Sequence, residues 1–144
     1  IKTASANGNL LFNVGPMADG RIEQRQIDIL TDMGQWLNSY GESIYNTRGG
    51  PYSPNNLFSA TRNGNKIFIH LFNPLLTEIK LPLLPKGNIL KCSVLHGDDA
   101  KLTVLNDGYS IVLPEHMPDK ISNVLVLELD CDALTIPVIE TPNN

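Results

Sequence analysis

The sequence predicts a mainly β fold: an antiparallel β-sandwich preceded by one strand–helix unit. Three observations carry this. Beyond residue 56, short stretches rich in Ile, Leu, Val and Phe alternate with turn residues, and no helical period is evident. Asn63-Gly64 and Asn106-Asp107-Gly108 each lie between two such stretches, a strong hairpin signal. Before residue 48 the pattern differs. There a short apolar run, Leu10–Val14, leads through Gly15-Pro16 into a segment whose apolar residues recur three and four apart.

The run Leu10-Leu11-Phe12-Asn13-Val14 is bounded by Gly8 and by Gly15-Pro16, which predicts a fully buried parallel strand ending before Pro16. Asp19-Gly20 predicts a turn, with Asp19 satisfying free amides at the start of the next helix. The helix is predicted over about Glu23–Tyr40. Ile27, Leu30, Met33 and Leu37 form its apolar stripe, which Ile29, Trp36 and Tyr40 widen, and Gly41 is the expected C-terminal cap. Arg48–Asn56, rich in Gly, Pro and Asn, reads as a connector.

Beyond the connector, strands are predicted at Leu57–Thr61, Lys66–Phe72, Thr77–Leu81, Ile89–Leu95, Leu102–Leu105, Tyr109–Leu113 and Asn123–Asp130. A last edge strand is predicted at Leu134–Ile139, its pairing limited by Pro137. In the second of these, Phe68, His70 and Phe72 share a face opposite Ile67, Ile69 and Leu71. Either both faces are buried or an aromatic patch is exposed for docking or binding.

The totals exclude several functions. The chain has 144 residues, 42% of them hydrophobic and 18% charged, which fits a folded domain. The net charge is −4 and there is no basic cluster, so nucleic acid is excluded as a partner. No apolar run approaches the ~20 residues of a membrane span. No signal-peptide pattern opens the sequence, and any signal would lie upstream. Cys92 and Cys131 both fall in strand-like sequence, and spacing leaves open a disulfide or two buried thiols.

Five words of this sequence occur in a distinctive order: Asn7-Gly8-Asn9-Leu10-Leu11, Asn13-Val14-Gly15-Pro16, Asp19-Gly20, Gly41-Glu42-Ser43-Ile44-Tyr45 and Arg48-Gly49-Gly50-Pro51. Together they resemble the end of the catalytic domain in family 29 glycoside hydrolases, the retaining α-L-fucosidases. The β region resembles that family's C-terminal sandwich in pattern and position. The resemblance implies that residues 1–47 are the C-terminal end of a catalytic (β/α)₈ barrel, 48–56 a linker and 57–144 a C-terminal β-sandwich. The strand–helix unit is then a remnant of a barrel whose other units lie upstream. It implies a parent enzyme that removes terminal α-L-fucose from glycans by double displacement, with no cofactor. The implied partners are the N-terminal barrel portion of the same enzyme and a fucosylated glycan, and the substrate class points to a periplasmic or secreted location.

That chemistry requires two carboxyl groups ~5–5.5 Å apart. The family's nucleophile lies in a word resembling Trp-Phe-Asp-Gly, which this chain lacks, so no catalytic residue is assigned here and the isolated chain is expected to be inactive. The acids present read as Asp19 in a turn, Glu23, Asp28 and Asp32 on a solvated helix face, Glu42 at the helix end and Asp98-Asp99 in a loop too poor in ligands for calcium. His70, His96 and His116 have no metal-ligand spacing, and no metal is expected. In a (β/α)₈ barrel the strand C-termini face the pocket. Asn13, Gly15 and Pro16, with Met17, would then form a pocket wall or support a catalytic carboxylate through a hydrogen bond. Their alternative reading is a tight turn that needs Gly and Pro for geometry alone. Two other functions stay open at this level: a non-catalytic carbohydrate-binding or adhesion module, and a structural domain of an unrelated barrel enzyme.

Overall fold

Alternation of apolar and polar side chains decides most of the architecture. The structure, a computed structural model, describes residues 1–142. A short helix α1 (Lys2–Ser5) and the long helix α2 (Gln24–Tyr40) precede a 3₁₀ turn at Gly41–Ser43. Eight strands follow: β1 (Arg48–Gly49), β2 (Phe58–Asn63), β3 (Lys66–Leu71), β4 (Glu78–Pro82), β5 (Ile89–Val94), β6 (Lys101–Val104), β7 (Gly108–Val112) and β8 (Val124–Leu129). A second 3₁₀ turn spans Ala133–Thr135.

All ladders are antiparallel and form two sheets, β1-β2-β3-β8-β5 and β4-β7-β6. The main core lies between them. Ile67, Ile69, Leu125, Leu127 and Leu129 of the larger sheet meet Ile79, Leu81, Tyr109 and Ile111 of the smaller. The other face of the larger sheet is also buried. Phe68, Val124 and Val126 pack with Leu95 under Trp36 and Tyr40 of α2. The molecule therefore has three layers: helix, five-stranded sheet and three-stranded sheet. β3 and β8 are apolar on both faces because both are covered.

Asn63 pairs with Lys66, so Gly64-Asn65 forms the two-residue turn, with Gly64 at φ +53° as that turn requires. A register shift between Ile89 and Lys91 marks a bulge at Leu90. The stretch 48–56 also contributes to the sandwich. Arg48–Gly49 pairs with β2, and Tyr52 is buried in the main core with its hydroxyl donating to Pro82 O at 2.9 Å. Cys92 and Cys131 are free thiols.

Four local expectations need correction. Leu10–Val14 forms no strand. Among the described residues no strand pairs with it, and a parallel strand without a paired neighbour has no partners for its backbone. Leu134–Ile139 is not an edge strand either: the Asp132 side chain accepts from Leu134 N–H and bends the chain into the 3₁₀ turn, leaving an isolated bridge between Ile139 and Tyr52. Asp19 does not cap α2. Its carboxylate accepts from the backbone N–H and the guanidinium of Arg21, while the helix begins after Glu23 without a side-chain cap. Gly41 is not in the left-handed region (φ −60°). It is small because a Cβ there would lie 2.8 Å from the Tyr45 ring.

Candidate functional site

The residues expected to line a pocket lie in the loop that enters α2. Gly15 N–H donates to Gln26 Oε1 at 3.1 Å, Pro16 bridges to Ile22, and Met17 N–H donates to Arg21 O at 2.7 Å. Asn13, Gly15 and Pro16 are all exposed. The tight turn comes from the Met17–Arg21 closure, with Gly20 at φ +84°.

Several of the described carboxylates are engaged locally by neighbouring donors. Asp19 is held below its usual range by hydrogen bonds from Arg21, and Asp130 by hydrogen bonds from Asn88. Both shifts favour the anion, and a general acid needs the opposite. Glu23 pairs with Arg25 on the surface, Asp28 accepts from Gln24, and Glu42 meets Lys66 at 3.4 Å. Among the described residues no group of three or more His, Cys, Asp or Glu is placed to hold a metal ion. The Cys92 thiol is pushed up to about 12, first by burial and then by Asp99, so it is no nucleophile at neutral pH.

What the segment does offer is an apolar surface. Leu10, Leu11, Phe12, Met17, Ile27, Ile29 and Leu30 are exposed, Leu11 to 85%. The stripe of α2 that the period predicts as buried is therefore split. Its C-terminal part, Trp36 and Tyr40, sits on the sheet, while its N-terminal part faces outward. A groove of about 790 Å³ runs between α2 and the segment after α1, lined by Leu10, Ile29, Met33, Trp36, Leu37 and Tyr45 among others. Isolated surface leucines are ordinary, but seven large apolar side chains on one short segment mark a contact surface. Among the described residues no helix is long and apolar enough to cross a membrane.

Beneath α2 the anchoring is specific. Trp36 stacks on Tyr40 with centroids 5.2 Å apart and donates from Nε1 to Ser122 O at 3.1 Å. His96 Nε2 donates to Ser39 O at 2.6 Å, near the end of the helix. His70 lies fully buried below. Thr61 Oγ1 gives its single proton to Ser43 O at 2.6 Å, so His70 Nε2, 3.0 Å away, must donate to Thr61. The imidazole is thus neutral, with Nδ1 bare. Burial first, and the N-terminal charge second, lower the pKa of His70 to about 4. The face shared by Phe68 and His70 is therefore a covered one. Phe72, half-buried at its end, carries the Lys2 ammonium 5.3 Å from its ring centre. The sequence did not distinguish between these outcomes, because the covering residues lie about thirty positions upstream of the strand.

Residues 1–42 match the family model for alpha-L-fucosidase. Human plasma alpha-L-fucosidase is 47% identical over 47 residues, which is 33% of this chain and 10% of that protein. Alpha-L-fucosidase isoenzyme 1 from Paenibacillus thiaminolyticus superposes on 90% of this chain and 32% of its own, with 28% identity and a TM-score of 0.77. The Thermotoga maritima alpha-fucosidase covers 87% of this chain and 31% of its own, with 28% identity and a TM-score of 0.72. The chain thus has the fold of one part of family 29 fucosidases. It spans about a third of the solved enzymes and about a tenth of the curated relative.

Proposed function

We propose that this chain is the C-terminal part of a retaining α-L-fucosidase that removes terminal α-L-fucose from glycans. Its own task is structural: residues 1–47 complete a (β/α)₈ barrel and the sandwich, reached through 48–56, buttresses it. The observation that carries this reading is the uncovered apolar surface of residues 10–12 and 27–30, within the segment that matches the fucosidase model. A barrel strand and helix would bury such side chains against neighbouring strand–helix units. The parent enzyme would supply both carboxylates from its N-terminal barrel portion. In that setting Asn13, Gly15 and Pro16 stand at the end of a strand, where they form a pocket wall or hold a carboxylate by a hydrogen bond. The reaction needs no cofactor, and the glycan substrate suits a periplasmic or secreted enzyme.

The test is hydrolysis of an aryl α-L-fucoside by the purified chain beside the upstream-extended protein. The extended protein is expected to turn over and the chain to be silent. Silence of both would end the fucosidase reading, and turnover by the chain alone would end the structural one.

A second expectation separates the two contexts. Ile29→Asp is expected to leave the stability of the chain within about 0.5 kcal/mol, since the side chain is exposed here. In the extended protein the same change would bury a charge, lowering stability by several kcal/mol and abolishing activity. Equal effects in both, measured by urea unfolding, would refute the buried-face assignment.

A further inference from the structure

A second cleft, of mixed polar and apolar lining, lies at the C-terminal exit of α2. It holds about 420 Å³ and opens where the helix exit meets the tip of the β2–β3 hairpin. Glu42, Tyr45, Asn46, Asn63, Asn65 and Lys66 line it, with the buried ring of Phe68 also contributing. The volume is in the range of small-molecule sites, roughly 300–1,000 Å³.

Three properties narrow the ligand. Tyr45 is 58% exposed, yet its ring is not loose, because one edge rests on Gly41 where no Cβ intervenes. An aromatic held on one edge with surface to spare is a platform for the C–H face of a sugar ring. Three asparagine amides line the cleft. Asn65 already donates to Leu129 O at 3.3 Å, which fixes its amide. Amides both donate and accept, as hydroxyl groups require. The only acid and base present, Glu42 and Lys66, stand 3.4 Å apart and neutralise each other, so the cleft selects neither phosphate nor a cation.

We propose that this cleft binds one pyranose unit of a neutral glycan, stacked on Tyr45 and hydrogen-bonded by Asn46, Asn63, Asn65 and the Glu42–Lys66 pair. The site stands independently of the fucosidase reading, which requires turnover and not binding at this position. An open cleft with one platform gives weak affinity, about millimolar.

The experiment is an amide-resolved NMR titration of the chain with methyl glycosides of L-fucose, D-galactose and D-glucose, each up to about 100 mM, with inorganic phosphate as the charged control. The expected result is shifts confined to Glu42–Asn46 and Asn63–Lys66 with at least one glycoside, and none with phosphate. Tyr45→Ala is expected to weaken binding about tenfold or more, and Tyr45→Phe to retain most of it. Gly41→Ala tests the same geometry without removing the ring. It displaces Tyr45 and weakens binding while the thermal midpoint is kept, since φ −60° accepts alanine. No shift with any glycoside, shifts centred elsewhere, preference for phosphate, or undiminished binding by Tyr45→Ala would each overturn the proposal.

Discussion

Between pH 7 and pH 4 the chain is expected to lose about 3 kcal/mol of stability through His70 alone. The folded-state pKa is depressed to about 4, while the unfolded chain keeps the ordinary 6.5. Above pH 6.5 neither state holds the proton, and the full stability is present. Below it the unfolded chain takes up a proton that the folded chain refuses, so stability falls until the folded pKa is reached and then levels off. A gap of about 2.5 units at 1.36 kcal/mol each sets the size. The cause is local. Nε2 is already committed to Thr61, and the added proton would go to Nδ1, which has no partner among the described residues. Asp19 and Asp130 do not confuse the window. Their folded pKa values lie below 3.8, so their contributions are lost at lower pH. Urea unfolding from pH 7.5 to 4 in the wild type and in His70→Gln is the measurement. Gln can still donate to Thr61, and the variant should show a flatter profile over this interval. Parallel profiles would mean that His70 takes up its proton without opening the α2 layer.

The residues that make this possible illustrate how far a sequence can be read. The strand alternation of Val124–Leu129 announces two distinct faces, and both are found. The period of α2 announces a stripe, and its C-terminal half is on the sheet. The period cannot say whether a face has a partner within the chain, so Leu10–Val14 reads as a buried strand although Leu10, Leu11 and Phe12 are exposed. Buried and merely apolar are the same word in a sequence. The turn at Gly15-Pro16 was legible, since those residues fix backbone geometry locally, but Asn13 was read inside a strand that does not form here. Tyr45 was not, because its exposure depends on Gly41 and on a hairpin tip some twenty residues later. Nor was the role of Arg62, which sequence places beside a turn and whose partners are 71 and 74 residues away.

That arginine ties three separate segments of the sandwich together. Arg62 Nε donates to Gly49 O at 3.1 Å, while Nη1 donates to Ala133 O at 2.8 Å and Ile136 O at 2.5 Å. One guanidinium therefore ties the edge strand β1 and the turn after β8 to β2. Ala133 and Ile136 are both core residues, so the turn must be held for the core to close beneath it. Burial lowers the pKa of Arg62, and the Asp132 charge opposes that shift, so the side chain stays cationic. Hydrogen bonds from a charged donor are worth about 1.5–3 kcal/mol each, and carbonyls that water can reach recover part of the loss. Arg62→Ala is accordingly expected to destabilise the chain by about 3 kcal/mol in urea unfolding. Arg62→Lys separates the clamp from the charge. A single ammonium cannot reach three carbonyls in a fixed fork, so lysine should recover less than half of the loss. Amide exchange supplies the local readout. Ile139 N–H, which donates to Pro51 O at 2.8 Å, and Ala133 N–H, which donates to Gly64 O at 2.7 Å, should lose protection before the β3–β8 ladder does. Full rescue by lysine would reduce the role to charge, and a loss under about 0.5 kcal/mol in the alanine variant would show that the turn closes without the clamp.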